Sequence, residues 1–162
     1  MENLWAPWRL EYIKSAKSGG CFLCDALASD QDRDLLLLKR GTFCNVMMNR
    51  YPYNNGHLLV FPTRHLHDVV ELTPEEDLES AALVRASITI LRKHLAAQGF
   101  NVGINLGKIA GAGLEEHLHT HIVPRWTGDT NFMPALADVK IVPQLLLELF
   151  DQLSPAFKAL SE

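Results

Sequence analysis

Three histidines stand at alternate positions in His117-Leu118-His119-Thr120-His121, and the run continues as Ile122-Val123-Pro124-Arg125-Trp126. In a strand successive side chains leave opposite faces, so a strand at about 117 to 124 puts His117, His119 and His121 on one face and Leu118, Thr120 and Ile122 on the other. Imidazole has the ordinary pKa nearest neutrality, so one ring can attack as a neutral nucleophile while its neighbour donates a proton. Phosphoryl chemistry uses that combination, because it needs an uncharged nucleophile held in line with the leaving group. The same spacing also serves metals, since His-x-His strand pairs occur as ligands. A carboxylate usually accompanies such clusters, and here Glu115 and Glu116 precede the histidines without interleaving, which favours the nucleophile.

Two further segments carry chemistry. Cys21-Phe22-Leu23-Cys24 is a spacing at which two thiolates chelate Zn²⁺, given two more ligands; the alternatives are free thiols or a redox pair. Asn105-Leu106-Gly107-Lys108-Ile109-Ala110-Gly111-Ala112-Gly113 lies directly before the histidines. It reads as a hairpin loop, or as a cradle whose small residues bring backbone N–H groups close to a phosphate, with Asn105 or Lys108 adding a donor.

The His-x-His-x-His pattern followed by two apolar residues resembles the histidine triad superfamily of nucleotide hydrolases and transferases. Asn49-Arg50-Tyr51-Pro52-Tyr53-Asn54-Asn55-Gly56-His57-Leu58-Leu59-Val60-Phe61-Pro62 is similar to that family's first half-site, and Asn105 onward to its phosphate loop, so the likeness spans about residues 43 to 126. The flanks Leu4-Trp5-Ala6-Pro7-Trp8-Arg9 and Pro124 to Phe132 resemble a bacterial branch that includes diadenosine tetraphosphate phosphorylases.

The resemblance implies that His119 attacks an α-phosphorus and carries a covalent AMP, with His121 and His57 attending phosphate oxygens or the leaving group. It implies that Asn49, eight residues before His57, meets the ribose hydroxyls, although Asn49 also suits a cap on the turn at Arg50-Tyr51-Pro52. Asn105, Lys108, Gly111 and Gly113 would contact the nucleotide. The chain departs from the pattern at Gly113-Leu114, where many members carry a polar residue for phosphate. The resemblance also completes a structural zinc site, Cys21, Cys24, His65 and His117, with His67 a poorer ligand than His65. It further implies a homodimer acting on an adenine nucleotide or dinucleoside polyphosphate, with water or phosphate as acceptor. A phosphoramidate hydrolase and a non-catalytic nucleotide-binding regulatory module are the competing readings. Arg125 and Trp126 either line the site or cover the core edge.

Bulk properties agree with a soluble enzyme. The 162 residues, 48% hydrophobic, suffice for a single domain with a real core. A net charge of −4 without a basic stripe argues against nucleic acid as partner. No apolar run approaches the roughly 20 residues of a membrane span and the N-terminus lacks a signal peptide's core, so a cytoplasmic protein is expected. The three cysteines read as reduced thiols or a metal pair.

The positioning elements follow from periodicity. A helix at 4–15, one helical turn after Cys24, a charged loop over 29–34 and a hairpin of Leu35–Leu38 with Phe43–Met48 precede a strand near Gly56. Thr73, Pro74 and Glu76 open a long helix to Gln98, ended by Gly99, whose stripe Leu78, Ala81, Val84, Ile88, Leu91 and Leu95 is expected to be buried. Strands at 101–106 and 117–124, a short strand at 138–142 and a helix opened by Pro143 complete the chain. The expected fold is α+β, a histidine-triad-like antiparallel sheet with one long helix packed on it. A zinc-linked segment 1–34 and a C-terminal helical extension 138–162 flank the core.

Overall fold

A computed structural model describes residues 20–129 and 145–160. The expected helix at 4–15, with its aromatic cluster, and the strand at 138–142 lie outside the described residues. Two short helices, α1 (Phe22–Leu27) and α2 (Asp32–Leu35), lead into strands β1 (Leu37–Arg40), β2 (Cys44–Met48) and β3 (Leu58–Pro62). A 3-10 turn at Val69–Glu71, the long helix α3 (Pro74–Leu95), β4 (Gly99–Ile104), a second 3-10 turn at Lys108–Ala110, β5 (Thr120–Arg125) and α4 (Leu146–Lys158) follow. The five strands form one antiparallel sheet in the order β1-β2-β3-β5-β4. The class is α+β, as expected.

Period-two alternation splits the core between the two faces. Val46, Met48, Leu58, Val60 and Ile122 face α3 and α4, where Leu91, Leu149 and Phe157 join them. Met47, Leu59 and Phe61 face the other way and pack with Leu37, Leu23 and Cys21. The histidines emerge on this second, thinner side, because His121 is in register with Leu59.

Several elements depart from the sequence expectation. The charged stretch 29–34 closes into α2, and Leu36 ends it in the left-handed region at φ 63°. The capping box of Thr73 and Glu76 opens α3 as expected, but the helix stops at Leu95 because Ala96 takes φ 50°, three residues before Gly99. The expected stripe holds at Val84, Ile88, Leu91 and Leu95, which pack on the core, but Leu78 is 70% exposed and Ala81 is exposed, while Glu76, Leu83, Ser87 and Ile90 are also buried. Glu76 is drawn inward by its bidentate pairing with Arg64, whose nitrogens lie 2.7 and 2.8 Å from it, and hydropathy alone cannot foresee a buried carboxylate. β4 spans 99–104 and not 101–106, and the ladder of β5 begins at Thr120, so His117 and His119 precede it. Leu145, extended and exposed, is the N-cap of α4, which therefore starts at Leu146.

Candidate active site and metal centre

The half-site loop is a sharp return between β2 and β3. Asn49 N–H donates to the His57 carbonyl (2.9 Å) and closes the loop. Gly56 sits at φ 73°, and a Cβ there would stand 2.6 Å from Leu95 Cδ1, so both conformation and space demand glycine. The loop brings Tyr53 and His57 beneath the end of β5. Tyr53 N–H donates to His57 Nδ1 at 3.0 Å, and Asn49 Nδ2 approaches the same nitrogen at 3.3 Å. His57 Nδ1 is therefore an acceptor, its proton sits on Nε2, and that N–H donates to His121 Nδ1 at 2.9 Å. His121 in turn carries its proton on Nε2.

His119 is set differently. Its Nδ1–H donates to the carbonyl of His117 at 2.8 Å, which leaves the Nε2 lone pair unencumbered. The rings of His119 and His121 meet edge to face at 4.8 Å, and Tyr53 stacks on His121 with centroids 5.7 Å apart. Burial holds His119 below the ordinary imidazole range. Burial, with His119 alongside, lowers His121 to about 4. Both rings are neutral at pH 7, one presenting a lone pair and the other an N–H.

His117 belongs to a second cluster. Its Nδ1 lies 3.2 Å from Cys21 Sγ and 3.5 Å from Cys24 Sγ, and His65 Nδ1 lies 3.2 Å from Cys24 Sγ. The four donor atoms lie within 4.8 Å of one another. Four ligands around Zn²⁺, with bonds of about 2.3 Å to sulfur and 2.0–2.1 Å to nitrogen, require donors about 3.3–3.8 Å apart, so the set fits with little movement. The second nitrogen of His117 donates to the Pro62 carbonyl at 2.9 Å, which fixes the ring with Nδ1 free to ligate. Desolvation first, and then neighbouring Cys21, push the Cys24 thiol up to about 11. His67 is turned away onto Glu71, 2.8 Å from its carboxylate, so His65 is the better ligand as expected. Cys44 is a buried core thiol.

Asn49 fills its capping role, since its Oδ1 accepts the Tyr51 N–H at 2.9 Å, and it also borders His57. Asn105 directly follows Ile104, the last residue of β4, which pairs with Thr120, and it is half-buried. Lys108 is exposed in the 3-10 turn, and Gly111 ends that turn at φ 90°. Gly113 is exposed, and Leu114 packs partly buried against the cluster containing Leu23, Leu37 and Met47. The departure from the family pattern at 114 thus serves the core. Arg125 and Trp126 do not reach the rings: Arg125 forks onto Asp129, and Trp126 Nε1 donates to the Leu95 carbonyl at 3.0 Å. Sequence reasoning missed Tyr53, Asn54 and Asp129. All three lie inside motifs already singled out, but nothing local distinguishes them from turn residues.

This arrangement, and the sheet that carries it, define a histidine triad protein: residues 37–128 match the HIT domain, and the chain belongs to that family. It is 38% identical over 156 residues to an AP-4-A phosphorylase of Mycobacterium tuberculosis, covering 90% of this chain and 79% of that protein. A bis(5'-nucleosyl)-tetraphosphatase of Schizosaccharomyces pombe is 35% identical over 82 residues, 51% of this chain and 44% of the relative. Among solved structures, a Zn-bound histidine triad family protein from Mycobacterium smegmatis superposes with a TM-score of 0.68 at 26% identity, covering 86% of this chain and 94% of that one.

Proposed function

We propose that the protein cleaves adenine dinucleoside polyphosphates at an α-phosphate through a nucleotidyl-histidine on His119, with inorganic phosphate as the preferred acceptor. The observation that carries the reading is the bond from His119 Nδ1–H to the His117 carbonyl, which turns a buried, neutral Nε2 lone pair toward the site. In the first step that lone pair forms a P–N bond as the bond from phosphorus to the bridging oxygen breaks. The departing polyphosphate takes the electron pair, and the Nε2–H of His121 meets the charge developing there. In the second step a phosphate oxygen attacks the same phosphorus, the P–N bond breaks, and His119 recovers its lone pair. Diadenosine tetraphosphate would thus give ATP and then ADP. Likeness to the AP-4-A phosphorylase over most of both chains supports phosphate over water.

Asn49 is proposed to meet the ribose, and Asn105, Lys108, Gly111 and Gly113 the phosphates. The Cys21, Cys24, His65 and His117 set is proposed to hold Zn²⁺, which when bound supplies a fixed tetrahedral centre and no chemistry on the substrate. The three free cysteines suit the reducing cytoplasm, and none of the described helices is long and apolar enough to cross a membrane. A homodimer is supported by β4, an edge strand with Val102 46% and Ile104 38% exposed on the helix side. Beside it runs a cleft of about 520 Å³ lined by Ile104, Ala81 and Leu72. An apolar edge that no other described strand covers invites a second strand, so light scattering should give twice the chain mass and Ile104→Lys should lower it.

The deciding experiment follows products from diadenosine tetraphosphate with and without phosphate. His119→Ala should retain nucleotide binding and lose turnover by roughly 10⁴-fold or more, the scale for removal of a covalent nucleophile. Equal turnover in the variant refutes the mechanism.

A further inference from the structure

Beyond the rings, the end of β5 folds into a closed knot of polar groups. Trp126 to Asp129 make a tight turn in which Asp129 N–H donates to the Trp126 carbonyl at 3.1 Å. The Asp129 carboxylate, with a side chain only 10% exposed, receives Arg125 Nε at 2.6 Å and Nη2 at 2.9 Å. It also accepts Trp126 N–H at 3.1 Å and Asn54 Nδ2 at 2.9 Å. Arg125 is itself braced by Asn101 across the ladder, through Nη1 at 3.0 Å from Oδ1.

Asn54 is the link to the site. Its Nδ2 faces two acceptors, the Asp129 carboxylate and, at 3.1 Å, the Pro124 carbonyl, while its Oδ1 accepts the Asn55 N–H at 3.1 Å. This pattern fixes the amide orientation. Its main-chain carbonyl accepts the His57 N–H at 3.2 Å. With Asn54 held at both side chain and carbonyl, the turn from Tyr53 to His57 closes in one way, the one that lays Tyr53 N–H on His57 Nδ1.

We infer that Asn54 and Asp129 are positioning residues for the reaction: through the Tyr53–His57 turn they fix the tautomer of His57, and through it the nitrogen on which His121 presents its proton. The inference rests on the proposed function for its kinetic consequence, not for its geometric one. Charge makes the device effective. The Asp129 carboxylate is ionised by its guanidinium fork, and a bond from Asn54 Nδ2 to a charged acceptor is stronger than one to a neutral oxygen. Were the Asn54 side chain lost, the turn would keep only its main-chain bonds, Tyr53 N–H would be held less firmly on the ring, and the weaker contact from Asn49 Nδ2 at 3.3 Å would be left to favour an acceptor at Nδ1, so that His57 could carry its proton on either nitrogen. Where His57 has its proton on Nδ1, its Nε2 becomes an acceptor. The proton of His121 is then drawn to Nδ1, away from the substrate.

The test joins kinetics to a spectroscopic reading of the ring. In the wild-type protein, long-range ¹H–¹⁵N correlation should show His57 as one tautomer, with Nδ1 unprotonated and Nε2 protonated. A protonated Nδ1 overturns the inference before any variant is made. In Asn54→Ala the two nitrogens should average, and kcat should fall about 10- to 100-fold with KM within about threefold, since general acid catalysis is worth roughly 10²–10⁴-fold. Asp129→Asn, which keeps the size and the acceptor for Trp126, should act in the same direction and serves if the first variant fails to fold. A loss of kcat with His57 still a single tautomer overturns the proposal, as does an averaged ring with kcat unchanged. Failure of the wild-type protein to turn over any AMP ester refutes the proposed function alone, because the wild-type and variant spectra remain readable.

Discussion

His117 and His121 stand four residues apart on one side of the same segment, yet they are held in opposite ways. His117 has one nitrogen on a backbone carbonyl and the other among two thiols and an imidazole, so both its edges are occupied by fixed structure. His121 is held at Nδ1 by another imidazole and stacked by Tyr53, and its other edge is the one the proposed reaction uses. The residue type is the same, and only four positions separate them. What differs is the partner of the second nitrogen, and that decides which ring is scaffold and which can do chemistry.

The contrast can be broken most forcefully at the His117 end. Cys21→Ser combined with Cys24→Ser should abolish stoichiometric zinc in protein purified without a metal-affinity tag and lower the melting temperature by more than about 10 °C. Structural zinc contributes on the order of 10 kcal/mol to folding. Zinc that stays bound in this variant rules out the ligand set. At the other end, His121→Ala should leave zinc content and melting temperature nearly unchanged while turnover falls by about 100-fold, equivalent to about 2.7 kcal/mol in the barrier. A larger effect on melting than on turnover would erase the distinction drawn here.

The smallest effect is on pH dependence. The pKa of His121 is lowered to about 4 from an ordinary 6.5, so the unfolded chain binds this proton first as pH falls. Its contribution to stability is complete above pH 6.5, declines down to about pH 4, and is constant below. His119 is shifted in the same direction by burial. Glu76, lowered from 4.5 to about 2 chiefly by its bond with Arg64, adds stability that is lost only as pH falls from 4.5 through 2. Urea unfolding at pH 7, 4 and 2 should therefore show two successive losses, and His121→Ala should shrink only the first. An unchanged first loss in that variant removes His121 as its source.

Much of this arrangement was legible in the sequence, because its signals are local. Alternation placed three rings on one face, the Cys-x-x-Cys spacing offered half a chelate, and Thr73, Pro74 and Glu76 marked the start of α3. What was not legible depends on contacts between distant segments. Leu78 and Ala81 read as core, yet both are exposed, while Glu76 of the same helix is buried with Arg64 as its partner. Leu114 occupies a phosphate-loop position but packs on a cluster from far earlier in the chain, Cys21 to Phe61. Tyr53 and Asp129 gain their roles only when β3 and β5 pair and bring positions 54 and 129 together.

The bond that orients His119 ends on the main-chain oxygen of His117, and every amino acid carries that oxygen. Replacing the His117 side chain therefore leaves the acceptor in place, and an alanine scan would report at position 117 only the loss of its ring from the cluster with Cys21, Cys24 and His65. The Nδ1 bond that orients His119 is disturbed by moving the backbone, not by trimming the His117 side chain. Screens built on side-chain deletion will be blind to it, whereas a change that shifts this short stretch of chain, even one made far from the site, will register as a loss of activity without an obvious culprit.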